Sequence, residues 1–105
     1  MLVALVLEAT EAPRGLRIAG DVDASTVHVL ADALEPALIR EGDLTLDLSA
    51  VTFVDSTRLQ LLIQAARKLE GRGRLVLVSP QPRVKLLFGY VLLDRRANMD
   101  IVDEI

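Results

Sequence analysis

The chain has 105 residues, of which 51% are apolar and 3% aromatic, and its net charge is −3. This length predicts one domain over residues 1–105, with a core of Leu, Val, Ile and Ala. Few aromatic stacking platforms and a negative charge argue against direct binding to nucleic acid. The absence of Cys excludes disulfides and thiol catalysis and is typical of a cytoplasmic protein.

The first part of the chain predicts a hairpin followed by a broken helix. Residues 1–8 form a strand candidate that is too short to span a bilayer, so no membrane insertion is expected. Residues 16–20 alternate as a half-buried strand should, and the turn residues between the two segments favour an antiparallel hairpin. Asp23 is expected to cap a helix that begins at Ala24. Pro36 lies inside that helix and should kink or split it, because proline has no backbone donor.

The rest of the chain is predicted to alternate between strands and helices. Residues 75–78 are apolar on both faces, which is typical of a central strand covered on both sides. The predicted elements are a strand at 44–48, a loop at 49–55, a helix at 55–69, a strand at 75–78, a short helix from Pro80 or Pro82 to about Phe88, and a weak strand at 99–102.

This order of elements predicts an α/β fold. Strand–helix–strand units require right-handed crossovers and parallel neighbours, so we expect a small mixed sheet of roughly four to five strands packed with about four α-helices. The loops that leave the strand C-termini gather at one edge of such a sheet. These loops are residues 20–23, 49–55 and 79–82, and their edge is the candidate functional face.

Two hydroxyl residues, Ser56 and Thr57, lie where the second helix is predicted to begin. A helix start presents unpaired N–H groups and a partial positive charge, which together accommodate a phosphate. One interpretation is a phosphorylation switch, with Thr57 as the preferred acceptor. The other is that Asp55 caps the helix and the hydroxyls are ordinary residues of its first turn.

Catalysis and metal binding are poorly supported. His28 is the single His and has no obvious partner for acid–base chemistry. Asp21, Asp23, Asp47 and Asp55 could cluster at the strand ends, but turn and cap roles explain the first two, and no dense ligand motif or glycine-rich phosphate loop is present. We therefore predict no catalytic residue, no metal site and no cofactor.

Two groups of residues near the C-terminus are expected to have ordinary structural roles. Arg83, Lys85, Arg95 and Arg96 form a loose basic group, expected to be solvated, with partner contact as the alternative. Residues 86–93 form an apolar block expected to pack in the core, although an exposed part of it could support a homodimer.

Several motifs give the chain a family resemblance. They are Gly-Asp-Val-Asp at residues 20–23 and Leu-Asp-Leu-Ser-Ala-Val-Thr-Phe-Val-Asp-Ser-Thr at residues 46–57, supported by residues 74–80. From about residue 16 onward the chain resembles a STAS domain of the anti-sigma factor antagonist (anti-anti-sigma factor) type. The resemblance implies a STAS-like single domain with a mixed sheet and helices.

The resemblance also implies a protein-binding switch in transcription regulation, without enzymatic activity. In that family the unphosphorylated protein binds an anti-sigma factor of the serine/threonine kinase type, which frees a sigma factor. The same partner phosphorylates the hydroxyl residue that follows Asp-Ser. By resemblance, this acceptor is Thr57, with Ser56 second; Asp55 orders the acceptor loop, and Asp21 and Asp23 belong to the partner-facing loop.

One residue departs from the family pattern, which usually has Gly after the acceptor. Arg58 stands there, and it either pairs with phosphothreonine, blocks the usual docking or redirects docking to a different partner. The alternative function is a non-phosphorylated STAS subunit, either a scaffold in a stress-signalling assembly or the accessory subunit of a membrane lipid transporter. A third possible function is a small-ligand or nucleotide sensor. Such a sensor needs a binding pocket, and no motif in the sequence indicates one.

Overall fold

The computed structural model describes residues 5–92 and 98–104. Over these residues the elements are β1 (Leu5–Glu11), β2 (Arg14–Val22), α1 (Val27–Leu34), β3 (Leu44–Val54), α2 (Leu59–Leu69), β4 (Leu75–Val78), α3 (Pro82–Leu92) and β5 (Met99–Val102). Two 3₁₀ turns, Glu35–Ala37 and Ser56–Arg58, adjoin α1 and α2. The start of the first predicted strand, residues 1–4, and two members of the basic group, Arg95 and Arg96, lie outside the described residues.

The strands form one five-stranded sheet in the order β1-β2-β3-β4-β5. β1 and β2 pair antiparallel, and each later pair is parallel, because a helix or a helical segment crosses over between the strands. The predicted hairpin and mixed α/β sheet are confirmed. The expected number of helices is slightly wrong, since the described residues contain three α-helices.

The core lies against one face of this sheet. A row of apolar partners crosses four strands, from Leu16 through Leu46 and Leu77 to Ile101. α1, α2 and α3 cover that row with buried side chains, which include Leu30, Leu34, Leu62, Ala66, Leu69, Val84 and Phe88. Each large side chain buried in this way contributes roughly 1.5–3 kcal/mol, so a core of aliphatic residues and Phe88 holds the sheet and helices together.

Proline breaks the first helix where the sequence predicts a break. α1 ends at Leu34 and the chain continues as a 3₁₀ turn that carries Pro36. The helix begins at Val27 rather than at the predicted Ala24, because the preceding residues form a turn in which the Asp23 carboxylate accepts from the Ser25 amide at 2.9 Å. Asp23 therefore caps this turn, and not α1 itself.

β3 is much longer than expected. Residues 49–55 are predicted as a loop, but the strand runs without interruption to Val54. Leu48, Val51 and Val54 are its buried residues over this stretch, a spacing of every third residue that hides the alternation of a regular strand.

Irregular pairing with β2 explains this spacing. Arg17 pairs with Asp47 and Ala19 with Ala50, so β3 supplies one extra residue between the two pairs. A second extra residue lies between the partners of Gly20 and Asp21. Each such bulge turns the following side chains to the other face of the sheet.

The length difference between β3 and β4 matters for the site. β4 pairs with β3 only from Leu44 to Asp47. From Ala50 to Val54, β3 pairs only with β2 among the described strands, so one edge of this segment faces α3 instead of another strand. Within residues 5–92 and 98–104, no helix is long and apolar enough to cross a membrane.

Candidate partner-binding and phosphoacceptor site

Parallel pairing of β2 and β3 brings two acidic loops side by side. The last residues of the strands, Val22 and Val54, are register partners. The Asp55 amide donates to the Val22 carbonyl at 2.8 Å, which fastens the second loop to the first. Asp23 and Asp55 therefore meet at the C-terminal edge of the sheet, where the sequence predicts a functional face.

Asp55 holds the start of the second helical segment. Its Oδ1 accepts from the Thr57 amide at 3.0 Å and from the Thr57 hydroxyl at 2.9 Å. The predicted cap is confirmed, although the first turn is the 3₁₀ turn Ser56–Arg58 and α2 begins only at Leu59. The backbone and side-chain hydrogen bonds from Thr57 hold the pKa of Asp55 below its ordinary value, so this carboxylate is charged at neutral pH.

The two predicted acceptor hydroxyls differ in their surroundings. Both Ser56 and Thr57 are exposed. The Thr57 hydroxyl is oriented by its bond to Asp55, whereas the Ser56 side chain makes no hydrogen bond to the described part of the chain. A phosphate donor could reach either residue, but only Thr57 offers an oxygen with a fixed direction.

Asp21 and Asp23 are both held in place, by different contacts. The Asp21 carboxylate accepts from the Thr52 hydroxyl at 2.5 Å, which ties the end of β2 to β3. The Asp23 carboxylate accepts from the Ser25 hydroxyl at 2.6 Å and from its amide. The Ser25 hydroxyl bond is the largest cause of a lowered pKa at Asp23. The loop at residues 20–23, which the resemblance implies to face the partner, is thus held by hydrogen bonds and carries two carboxylates.

Charges within the site act on one another. The Thr57 hydrogen bonds lower the pKa of Asp55 most. In addition, the positive charge of Arg58 lowers this pKa, and the nearby carboxylate of Asp23 raises it. The net pKa of Asp55 remains below its ordinary value. Asp23 and Asp55 therefore form a doubly negative patch with one cation beside it.

Arg58 fits its position without backbone strain. Its φ is −91°, an ordinary value for any L-residue, so this turn does not need the Gly that the family usually has. The side chain is half-buried, and its Nε is a buried donor without a partner among the described residues. Arg58 thus lies beside the candidate acceptor with its Nε shielded from solvent.

An apolar groove, here called the β3–α3 groove, adjoins the acceptor loop and has a volume of about 400 Å³. It is lined by Thr52, Phe53, Val54, Asp55, Ser56, Arg83, Val84 and Leu87. The sequence prediction missed this groove because it placed Thr52 and Phe53 in a loop. The available signal was a Phe inside a segment predicted as a loop, in a chain with few aromatics.

Asp47 and Lys85 lie outside the candidate acceptor site. Asp47 is in the middle of β3, where it pairs with Arg17 at 3.4 Å, so the four aspartates do not form one cluster. Lys85 pairs with Asp103 at 3.2 Å. In the part of the chain that the structure describes, no three acidic or His side chains gather as metal ligands would.

Comparison with known proteins assigns the family. The family model described as "Mlab, STAS domain" matches residues 5–103. The chain belongs to the STAS domain family, which confirms the resemblance seen in its motifs.

A named relative and two solved structures are similar to the chain. The chain is 37% identical over 73 residues to a Listeria monocytogenes protein named anti-sigma-B factor antagonist; the match covers 68% of this chain and 64% of that protein, less than two thirds of its length. Its fold is similar to the anti-sigma factor antagonist SpoIIAA in its unphosphorylated form (TM-score 0.69, 23% identity, 96% of this chain and 90% of that one). It is also similar to an anti-sigma factor antagonist from Mycobacterium paratuberculosis (TM-score 0.74, 23% identity, 91% and 83%).

Proposed function

We propose that this chain is an anti-sigma factor antagonist whose binding to its partner is switched off by phosphorylation of Thr57. The observation that carries the proposal is the exposed Thr57 hydroxyl, held by Asp55 at a helical start beside the Asp21 and Asp23 loop. The names of the similar proteins support the same function.

The unphosphorylated state binds through a preorganised acidic surface. Asp23 and Asp55 are fixed by Ser25 and Thr57, so little conformational freedom is lost when a partner docks. Their adjacent charges favour a basic partner surface and speed association with it. The proposed partner is an anti-sigma factor of the serine/threonine kinase type, and this chain is its ligand and substrate.

Phosphorylation changes this surface without dismantling the fold. The phosphate adds about −1.5 to −2 charge at pH 7. It also removes the hydroxyl proton that Thr57 donates to Asp55, so that two anionic groups face each other. The N–H groups of the helical start and the nearby Arg58 tolerate the added charge locally. The partner surface receives no such compensation and is repelled.

The test is a binding titration with the nearest encoded kinase-type anti-sigma factor. Thr57→Ala should bind like wild type and lose regulation, because the interface keeps its charge. Thr57→Glu should weaken binding by roughly 1–3 kcal/mol, the scale of an unfavourable charge at an interface.

The matched control is Gln64→Glu, which adds one negative charge to an exposed position of α2. It should bind like wild type. Equal binding of Thr57→Ala and Thr57→Glu would contradict the switch.

The presence of Arg58 favours a second candidate function, that of a STAS subunit that binds its partner constitutively. A bulky cation follows the acceptor, and its half-buried side chain occupies space that Gly would leave to a partner. In this alternative, the same surface binds a different protein and Thr57 is never phosphorylated.

A further inference from the structure

The β3–α3 groove exists because β3 is longer than its neighbour. Beyond Asp47, no described strand pairs with the edge of β3 that faces α3. The Gln81 side-chain amide donates to the Ser49 carbonyl at 3.2 Å near the start of this edge. An unpaired strand edge keeps backbone donors and acceptors available to another chain.

The groove is apolar along its walls. Phe53 is 53% exposed although it belongs to a strand, and Val84 and Leu87 face it from α3. An aromatic ring left half in water beside a concave apolar surface is typical of a binding site rather than of a solvated loop.

The lining of the groove carries both signs of charge. Asp55 and Ser56, here called the acidic rim, are continuous with the negative patch that includes Asp23. Arg83, an exposed residue of the first turn of α3, also lines the groove and is here called the basic rim. A partner that seats a side chain in the groove must therefore present an acidic group to Arg83 and a basic group to Asp55.

We propose that the β3–α3 groove receives a large apolar side chain of the protein partner, next to which the partner carries a carboxylate that faces Arg83. This inference rests on the proposed function, since the groove shares Asp55 and Ser56 with the acceptor loop. A volume of about 400 Å³ accommodates one Leu, Met or Phe side chain with part of its backbone. A single buried anchor of this kind commonly supplies a large share of the binding energy.

The experiment titrates the nearest encoded kinase-type anti-sigma factor against three groove variants. Arg83→Glu reverses the basic rim, Leu87→Trp fills the groove and Phe53→Ala removes a wall. We expect Arg83→Glu and Leu87→Trp each to raise Kd at least about tenfold. Arg83→Glu and Phe53→Ala change exposed side chains, so the test does not depend on whether Leu87→Trp folds.

Arg40→Glu is the matched control, because Arg40 is exposed and lies outside the groove lining. It should leave Kd within about twofold of wild type. Thr57→Glu, measured in the same series, separates this inference from the proposed function.

Two results overturn the inference alone. In the first, Thr57→Glu weakens binding while all groove variants bind like wild type. In the second, wild type is a dimer that Arg83→Glu converts to a monomer, which assigns the groove to a second copy. If wild type does not bind the anti-sigma factor, the proposed function and this inference both fail.

Discussion

At the scale of single residues, the Asp55 carboxylate joins the fold to the proposed switch. One oxygen accepts from both the amide and the hydroxyl of Thr57. The amide bond caps the helical segment, and the hydroxyl bond orients the proposed acceptor. A phosphate on Thr57 would end the second bond, while the amide could still donate. The same carboxylate would therefore keep the cap in both states and add charge repulsion in the phosphorylated one.

The pH dependence of this cap follows from its lowered pKa. Because the pKa of Asp55 is lower in the folded than in the unfolded chain, its contribution to stability is present at neutral pH. It should be lost as the pH falls through the folded pKa. The stability difference between wild type and Asp55→Ala should therefore be constant near neutral pH and shrink in acid.

Urea denaturation at about pH 7 and about pH 3 measures that difference. The control is Asp32→Ala, at an exposed position of α1, which measures the effect on stability of removing a surface carboxylate. A difference between wild type and Asp55→Ala that grows in acid would contradict the cap as described.

The same residues show what the sequence could reveal of the site. The role of Asp55 as a cap was predicted because capping depends on residues only two positions apart. The contact of Asp21 with Thr52 was not predicted, because these residues are far apart in sequence and meet only through the register of β2 and β3. The roles of Thr57, Ser56 and Arg58 in phosphorylation remain predictions.

At the scale of elements, β3 shows where sequence patterns fail. Its first half alternates regularly and was predicted as a strand. Its second half contains two bulges, so its buried residues Leu48, Val51 and Val54 are spaced as no regular strand would space them. α1 shows the opposite case, since a single Pro36 determined where the helix would end.

The β2–β3 pairing makes a specific prediction about Gly15. A Cβ on Gly15 would lie 1.7 Å from the Thr45 carbonyl oxygen, which is backbone and cannot move away cheaply. Gly15→Ala should therefore reduce the free energy of unfolding by about 2–4 kcal/mol.

Gly89→Ala is the matched control for that substitution. Gly89 lies in α3, and a Cβ there meets nothing within 4 Å, so the change should stabilise the chain by about 0.5–1 kcal/mol. Urea melts of both variants test the pair. A Gly15→Ala variant as stable as wild type would show that β2 and β3 do not approach as closely as described.

At the scale of the whole molecule, the fold follows from the order of its elements. Strand–helix–strand repeats fix the parallel strands, and the short hairpin fixes the antiparallel edge. The acceptor loop follows as well, because strand C-termini meet at one edge. The β3–α3 groove does not follow from element order, since it arises from the unequal lengths of β3 and β4.

The charges at the acceptor edge and in the β3–α3 groove bear on both proposals. The chain has a net charge of −3, and Asp55 at its acidic edge lines the same groove as Arg83. A partner that satisfies both rims is held in one orientation. Adding a phosphate to the acidic rim would change the charge balance where that orientation is set.

Phosphorylation of Thr57 is tested most directly by mass spectrometry after incubation with the nearest encoded kinase-type anti-sigma factor and ATP. We expect one added phosphate per chain, located on Thr57 and absent from Thr57→Ala. No added phosphate, with a stable complex still forming, would contradict the switch and identify the chain as a constitutive binding subunit.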